Sequence, residues 1–235
     1  MIAKSLLLAA AALCLASCVI DTTPTGPLHY DSFHLDRDRS EVVKVNLNMG
    51  AGKLQVGSGT DKLLQAYFTY NRAAWKPVVR YDAGVLTIEQ GKTEHVNLQP
   101  GQTKNEWDLR FNRETPLDFS VNFGAGEAQL DLGSLNLRAV NVHMGVGEMN
   151  LDLRGRPQHD YDVRIDGGIG EAIVRLPPSA GIYATAHGGI GEIKTSGLEK
   201  HDDHWENEGY AAAKVKVRVD VHGGIGSISL IGDSN

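Results

Sequence analysis

The chain has 235 residues and a formal net charge of −6, with no basic excess, which argues against nucleic acid or an anionic membrane surface as a partner. It has two cysteines, and one of them lies in a segment predicted to be removed, so no disulfide framework organises the fold. The length allows two domains, but one pattern repeats through most of the chain and favours a single body.

Residues 1–17 carry Lys4 and then the apolar run Leu6 to Leu15, which is too short for a permanent membrane span and has the form of an export signal. The run ends in Leu15-Ala16-Ser17-Cys18, which resembles the bacterial lipobox and implies cleavage before Cys18 and a diacylglycerol thioether on it. Cys14 is removed with the signal, so lipid attachment accounts for the one cysteine left. Several acyl chains, at about 0.8 kcal/mol per buried methylene, anchor such a protein firmly to a membrane. Val19 follows the cysteine where an aspartate would favour inner-membrane retention, so in a Gram-negative cell the outer membrane is expected. Residues 18–30, with two prolines, three threonines and a glycine but no periodicity, read as a tether.

The domain proper is expected over 31–235. Its first part, 31–115, contains strand-like runs at Leu64–Tyr70, Val78–Tyr81 and Val85–Glu89, with Asp82-Ala83-Gly84 as the turn between the last two. Trp75, Trp107 and Trp205 fall outside the regular pattern and are expected to plug its ends and its long insertion. The second part, 116–235, is more regular, with turn compositions at Gly133-Ser134, Gly155-Arg156-Pro157 and Pro177-Pro178. Glu199–Lys214 is polar and reads as an insertion before the last strand.

The organising signal is a phrase, Gly-x-Gly, which occurs at Gly50 and Gly52, Gly124 and Gly126, Gly145 and Gly147, Gly168 and Gly170, Gly189 and Gly191, and Gly224 and Gly226. Before each copy apolar residues alternate with polar ones, as in Val45, Leu47, Met49 or Phe119, Val121, Phe123, which marks a strand with one buried face. After it the parity changes, to Leu54, Val56 or Ala128, Leu130, Leu132, so these twelve glycines are expected to be structural bends. First glycines stand 21, 23 and 21 residues apart from Gly124 to Gly189, then 35 to Gly224, with 74 between Gly50 and Gly124; such a period predicts an all-β solenoid or rack of stacked rungs. Volumes trade as well. Where the residue before the phrase is large (Met49, Phe123, Met144) the residue inside it is Ala51, Ala125 or Val146, and where it is Gly167, Gly188 or Gly223 the inner residue is Ile169, Ile190 or Ile225. The two positions are therefore expected to share one core pocket, with Ile190→Ala costing about 2–4 kcal/mol.

The lead strand Val43–Leu47, the phrase from Met49 to Leu54, the segment Ala66–Asn71 running on to Lys76-Pro77, and Leu86–Gln90 resemble the toast-rack domain of bacterial envelope lipoproteins and of cell-wall-active-antibiotic response proteins of the LiaF type. The later Gly-Gly-Ile-Gly rungs are similar to adhesin-like β-solenoid domains. The resemblance implies an all-β rack and carries no catalytic residues.

The glycine phrases are not nucleotide-binding loops: Gln55 stands where a dinucleotide fingerprint needs its third glycine, and Lys53 is followed by leucine. Two columns are candidates for binding. Two residues before each phrase stand Asn48, Asn122, His143, Asp166, His187 and His222, and just after it Lys53, Glu127, Glu148, Glu171, Glu192 and Ser227. If rungs stack in register, His143, Asp166, His187 and His222 are expected to meet Glu148, Glu171 and Glu192 along one edge as a metal-binding or pH-sensitive ladder, or else merely to finish the bend. The cluster His201-Asp-Asp-His204-Trp-Glu206 is a second metal-like stretch and equally a solvated loop. No serine elbow and no His-Glu-x-x-His occurs, and identical glutamates repeated by rung make a poor acid–base pair. The reading is thus a non-enzymatic lipoprotein without a cofactor, held to the membrane by its lipid and presenting a rigid β scaffold to an envelope protein or polymer. The alternative is a regulatory partner of an envelope-stress or cell-wall-antibiotic response system. No motif names the partner or the number of copies.

Overall fold

The computed structural model describes residues 25–91 and 103–232. The predicted signal peptide, Cys18 and residues 19–24 of the tether lie outside the described residues. Thirteen strands form one sheet system: β1 (His29–Leu35), β2 (Val43–Ser58), β3 (Leu64–Tyr70), β4 (Val78–Asp82), β5 (Val85–Glu89), β6 (Asn105–Phe111), β7 (Pro116–Asp131), β8 (Asn136–Asp152), β9 (Tyr161–Leu176), β10 (Gly181–Ser196), β11 (Glu199–His201), β12 (His204–Glu206) and β13 (Lys216–Gly232). The fold is the all-β rack that the period implies. Six strands, β2, β7, β8, β9, β10 and β13, are 16 or 17 residues long and carry one glycine phrase each near mid-length. They run parallel with all six phrases in one register, Ala51 beside Ala125, then Val146, Ile169, Ile225 and Ile190.

Each phrase divides its strand into two arms. Because the apolar parity changes there, both arms turn their apolar sides to a shared core: Val45, Leu47 and Met49 before the bend and Leu54 and Val56 after it are all buried. Beyond β2 the two arms are continued by different strands, β5 and β4 on the first arm and β6, β3 and β1 on the second. Short connections at 132–135, 153–160 and 177–180 return the chain from the end of one second arm to the start of a first arm. The molecule therefore has a bend end and a loop end.

The second glycine of every phrase, from Gly52 and Gly126 to Gly226 and Gly191, has φ between 126° and 145°, the left-handed side that favours glycine. A Cβ there would also lie far inside van der Waals contact with a backbone carbonyl oxygen. At Gly126 that oxygen belongs to Gly52 and at Gly170 to Gly147, the equivalent glycine one rung back; at Gly52, which has no rung behind it, it belongs to Asn105. Glycine is required twice over, by the turn and by the close stacking.

Expectations about the core, the stacking order and the tether need correction. In four of the six phrases the inner residue is not in the core: Val146, Ile169, Ile225 and Ile190 are 50%, 51%, 50% and 71% exposed, while the small Ala51 is buried. The bend swings that residue to the apex, away from both sheets. In the rungs of β10 and β13 the residue before the phrase instead lies against the one five places later. Gly223 lies against the Ile228 side chain and Gly188 against Ile193, whereas Phe123 is followed by the small Ala128. Ile190→Ala should accordingly shift the stability by no more than about 0.5 kcal/mol in a denaturant melt, not by a core cavity's cost.

Secondly, the rungs do not stack in chain order. β13 lies between β9 and β10, so the sixth long strand along the chain is the fifth in space. The segment before it, expected as a polar insertion, carries the hairpin β11–β12, which pairs with β10 at Tyr183 and Ala184. Thirdly, the tether ends earlier than expected. His29 and Tyr30 belong to β1, and the Gly26 amide donates to the Asn71 carbonyl at 2.8 Å.

The expected turn at Asp82-Ala83-Gly84 is present, with φ of 45° at Ala83 and 79° at Gly84 joining β4 to β5. Trp107 is no plug: it sits in β6 with its ring edge-on to Phe68, centroids 5.6 Å apart, inside the core. Trp75, in a single 3-10 turn at Ala73–Trp75, is buried beneath the Arg72 guanidinium, and Trp205 packs half-buried from β12 over the β10 end.

Candidate functional site at the bend edge

The in-register bends create three parallel columns. At the apex run the inner residues, ending in the aliphatic ridge Val146, Ile169, Ile225, Ile190 at one-strand intervals of about 4.8 Å. One flank carries Asn48, Asn122, His143, Asp166, His222 and His187 in that spatial order. The other carries Lys53, Glu127, Glu148, Glu171, Ser227 and Glu192.

Neighbours in the first column interact in pairs. The Asn122 amide donates to the Asn48 side-chain oxygen at 2.8 Å, His143 Nδ1 stands 3.1 Å from Asp166, and the His187 and His222 rings stack with centroids 5.2 Å apart. His222 Nε2 is 3.1 Å from the Asp220 carboxylate, which also accepts from the Thr185 hydroxyl at 2.8 Å. Burial pushes the Asp220 carboxyl up, but these two hydrogen bonds, together with the charges of His222 and Arg164, outweigh it and leave the group below its ordinary value.

The part of this flank from Asn48 to Asp166 is the wall of an open groove of about 1000 Å³, lined also by Glu89 and Gln90 at the end of β5. The glutamate flank borders a separate groove of about 230 Å³ with Gln55 and Gln129. The expected single edge of histidines and glutamates is therefore two edges, because the bend turns residues on either side of it to different faces. Among the described residues no three His, Cys, Asp or Glu side chains are grouped so as to hold a metal ion, neither in the ladder nor at His201–Glu206. Two glutamates are tied to lysines instead, Glu127 to Lys53 at 2.9 Å and Glu192 to Lys194 at 3.1 Å.

The bend glycines divide in the same way, and the phrase is not one uniform surface. The first glycines Gly50, Gly124, Gly145 and Gly168 line the larger groove. In keeping with their expected role as bends, Gly52, Gly126 and Gly147 line neither groove, although Gly126 is exposed and the other two are half-buried. Their left-handed turn packs them against the neighbouring backbone, so Gly52 and Gly126 hold the bend.

The β2 end of the bend column has a built cap that sequence reasoning missed. Gln90 Oε1 accepts from the Gly50 amide at 2.9 Å and the Ala51 amide at 3.2 Å, and the buried Asn105 donates to the Ala51 carbonyl at 2.7 Å and to Gln90 Oε1 at 2.9 Å. The two amide side chains stand in for a missing seventh rung. The available signal was an asparagine at the inward parity of Trp107, Leu109 and Phe111, a polar residue with no reason to be inside unless it has partners.

At the other end the β11–β12 hairpin holds His204 between Asp203, 3.1 Å from Nδ1, and Glu206, 3.2 Å from Nε2, with its ring stacked on Tyr183 at 4.4 Å and on His201 at 5.6 Å. The Asp203 hydrogen bond, helped by Glu206, lifts the imidazole above its ordinary value despite some desolvation. A raised histidine contributes stability in full below about pH 6.5 and loses it as the pH climbs through the folded value. Proton NMR titration of His204 should place its midpoint above about 6.5, and Asp203→Asn should bring it back down.

No helix among the described residues is long and apolar enough to cross a membrane. No curated protein matches the chain. A solved structure of a candidate cell adhesion protein from Clostridium sporogenes is 31% identical, with a TM-score of 0.85 over 87% of this chain and 99% of that one. A candidate adhesin from Bacteroides fragilis, 13% identical over 88% of this chain and 98% of its own, has a TM-score of 0.38. Residues 25–175 match the family model of the N-terminal domain of toast_rack, DUF2154, and with more than half of its length inside that match the chain belongs to the toast-rack family.

Proposed function

We propose that the chain is a non-enzymatic lipoprotein of the cell envelope, anchored through Cys18, whose rack serves as a rigid scaffold for adhesion. The observation that carries this reading is the 31% identity and near-complete overlap with the candidate cell adhesion protein of Clostridium sporogenes. The groove along Asn48, Asn122, His143 and Asp166 supports it. Hydrogen-bonding side chains repeated at one-strand intervals suit an extended, repetitive ligand lying along the stack better than a compact substrate. The lipobox-like Leu15–Cys18 supports the anchor.

Anchor and adhesion are tested separately. Mass spectrometry of the protein from its native membranes should find an N-terminus at Cys18 carrying acyl chains, and an unmodified or differently cleaved N-terminus refutes the anchor. Cells lacking the chain should attach less well to their natural surface; attachment at the parental level refutes adhesion.

A further inference from the structure

The place where the chain enters the fold bears on what the aliphatic ridge does. β2 leaves the bend at Lys53, which pairs with Glu106 at the start of β6; β3 and β1 then run antiparallel in turn, so Tyr70 and His29 return to the bend end. The Gly26–Asn71 hydrogen bond fixes the entry there. From Cys18 to Gly26 is eight residues, at most about 28 Å of extended chain. A lipid on Cys18 thus keeps the bend end close to the bilayer.

The exposed aliphatic side chains are distributed to match. Among the described residues Leu28, Val78, Val146, Ile169, Ile225 and Ile190 are exposed and stand at the bend end, while Val85, at the far end of β5, is exposed away from it. The loop end is polar, with Arg113, Glu114, Arg154 and Arg156 around its groove. A ridge of branched aliphatics left half in water, flanked by columns of glycine, is an unusual use of surface in a protein whose partner is only water.

We propose that the ridge Val146-Ile169-Ile225-Ile190 is a membrane-docking edge, which lies in the interface of a zwitterionic lipid surface and holds the rack with its stacking axis along the bilayer. The proposal rests on the anchoring of Cys18. The glutamate flank sets its lipid preference: Glu148 and Glu171 stand beside the ridge and stay in the headgroup water, so neutral headgroups are tolerated and anionic ones repelled. The groove on the opposite flank stays open to solvent, free for a ligand.

The test uses the full lipidated chain in vesicles of phosphatidylcholine and phosphatidylethanolamine, with an environment-sensitive fluorophore on Ile225→Cys at the ridge or on Gln158→Cys at the loop end. Both sites lie outside the core, so neither label disturbs it. The expected result is a blue shift and quenching by brominated phosphatidylcholine at 225, with neither at 158. Equal, water-like emission at both positions overturns the docking edge. The chain without an introduced cysteine separates the two readings: its uptake of label means that Cys18 is unlipidated and the anchor has failed, whereas an unlabelled parent with a water-like 225 means that the anchor stands and the ridge does not dock.

Discussion

Gly170→Ala should destabilise the protein by about 3–5 kcal/mol, because the alanine must hold a strained φ and its Cβ collides with a backbone carbonyl that has no room to yield. The φ at Gly170 is 144°, and the obstructing atom is the Gly147 oxygen of the neighbouring rung, itself fixed by the stack. For a domain stable by about 5–15 kcal/mol this is a large fraction, and low soluble yield or a much reduced denaturant midpoint is the expected readout. Gly167→Ala is the control in the same rung. Gly167 has no left-handed φ, and the nearest atom to its Cβ would be the His222 carbonyl oxygen at 3.8 Å, so the substitution should be neutral or stabilise by up to about 1 kcal/mol. Equal losses for the two variants would mean that the bends are not in register.

Asn105→Ala should cost about 2–4 kcal/mol, more than a surface amide, because it orphans groups that no solvent reaches. Asn105 is buried; its amide nitrogen serves the Ala51 carbonyl and Gln90, and its oxygen accepts from Trp107 Nε1 at 3.1 Å. Removing it leaves the indole N–H without an acceptor and the first bend without half of its cap. Urea melts followed by tryptophan fluorescence read both effects, since Trp107 reports its own surroundings. A change within about 0.5 kcal/mol would show that the first bend needs no end-cap.

Much of the architecture was legible because it is periodic. Alternation before the phrase, the parity change after it and the recurrence of the two glycines are local properties, and they placed Val45, Leu47, Leu54 and Leu130 in the core where the structure has them. What was not legible depends on direction and distance. Ile169 and Ile190 are apolar and complement the volume of Gly167 and Gly188, but their pairing assumed that the chain runs on straight; a left-handed glycine on the C-terminal side turns them outward. That same turn hides Gly52 and Gly126 from the groove that Gly50 and Gly124 line, a difference that two identical letters in a motif do not display. The position of β13 is fixed by a long connection, and a parallel strand has no register rule that reveals its neighbour from sequence. The two binding columns could be aligned residue by residue, yet whether His143 meets Asp166 or Glu148 is a matter of which face the bend gives each. β6 was missed although Trp107, Leu109 and Phe111 alternate, since Glu106 before them and Asp108 and Arg110 between them masked a short run.

The intercalation of β13 between β9 and β10 has a consequence for how the protein is made. Until β13 has been made, β9 has no partner on one side and β10 is held only through the small hairpin strand β12. Two rungs therefore wait on a segment delivered after both of them, and the closing step of folding is the insertion of a whole strand rather than its addition to an edge. A chain cut short before Lys216 would leave the far half of the rack without its keystone, exposed to proteases while the near half is already complete.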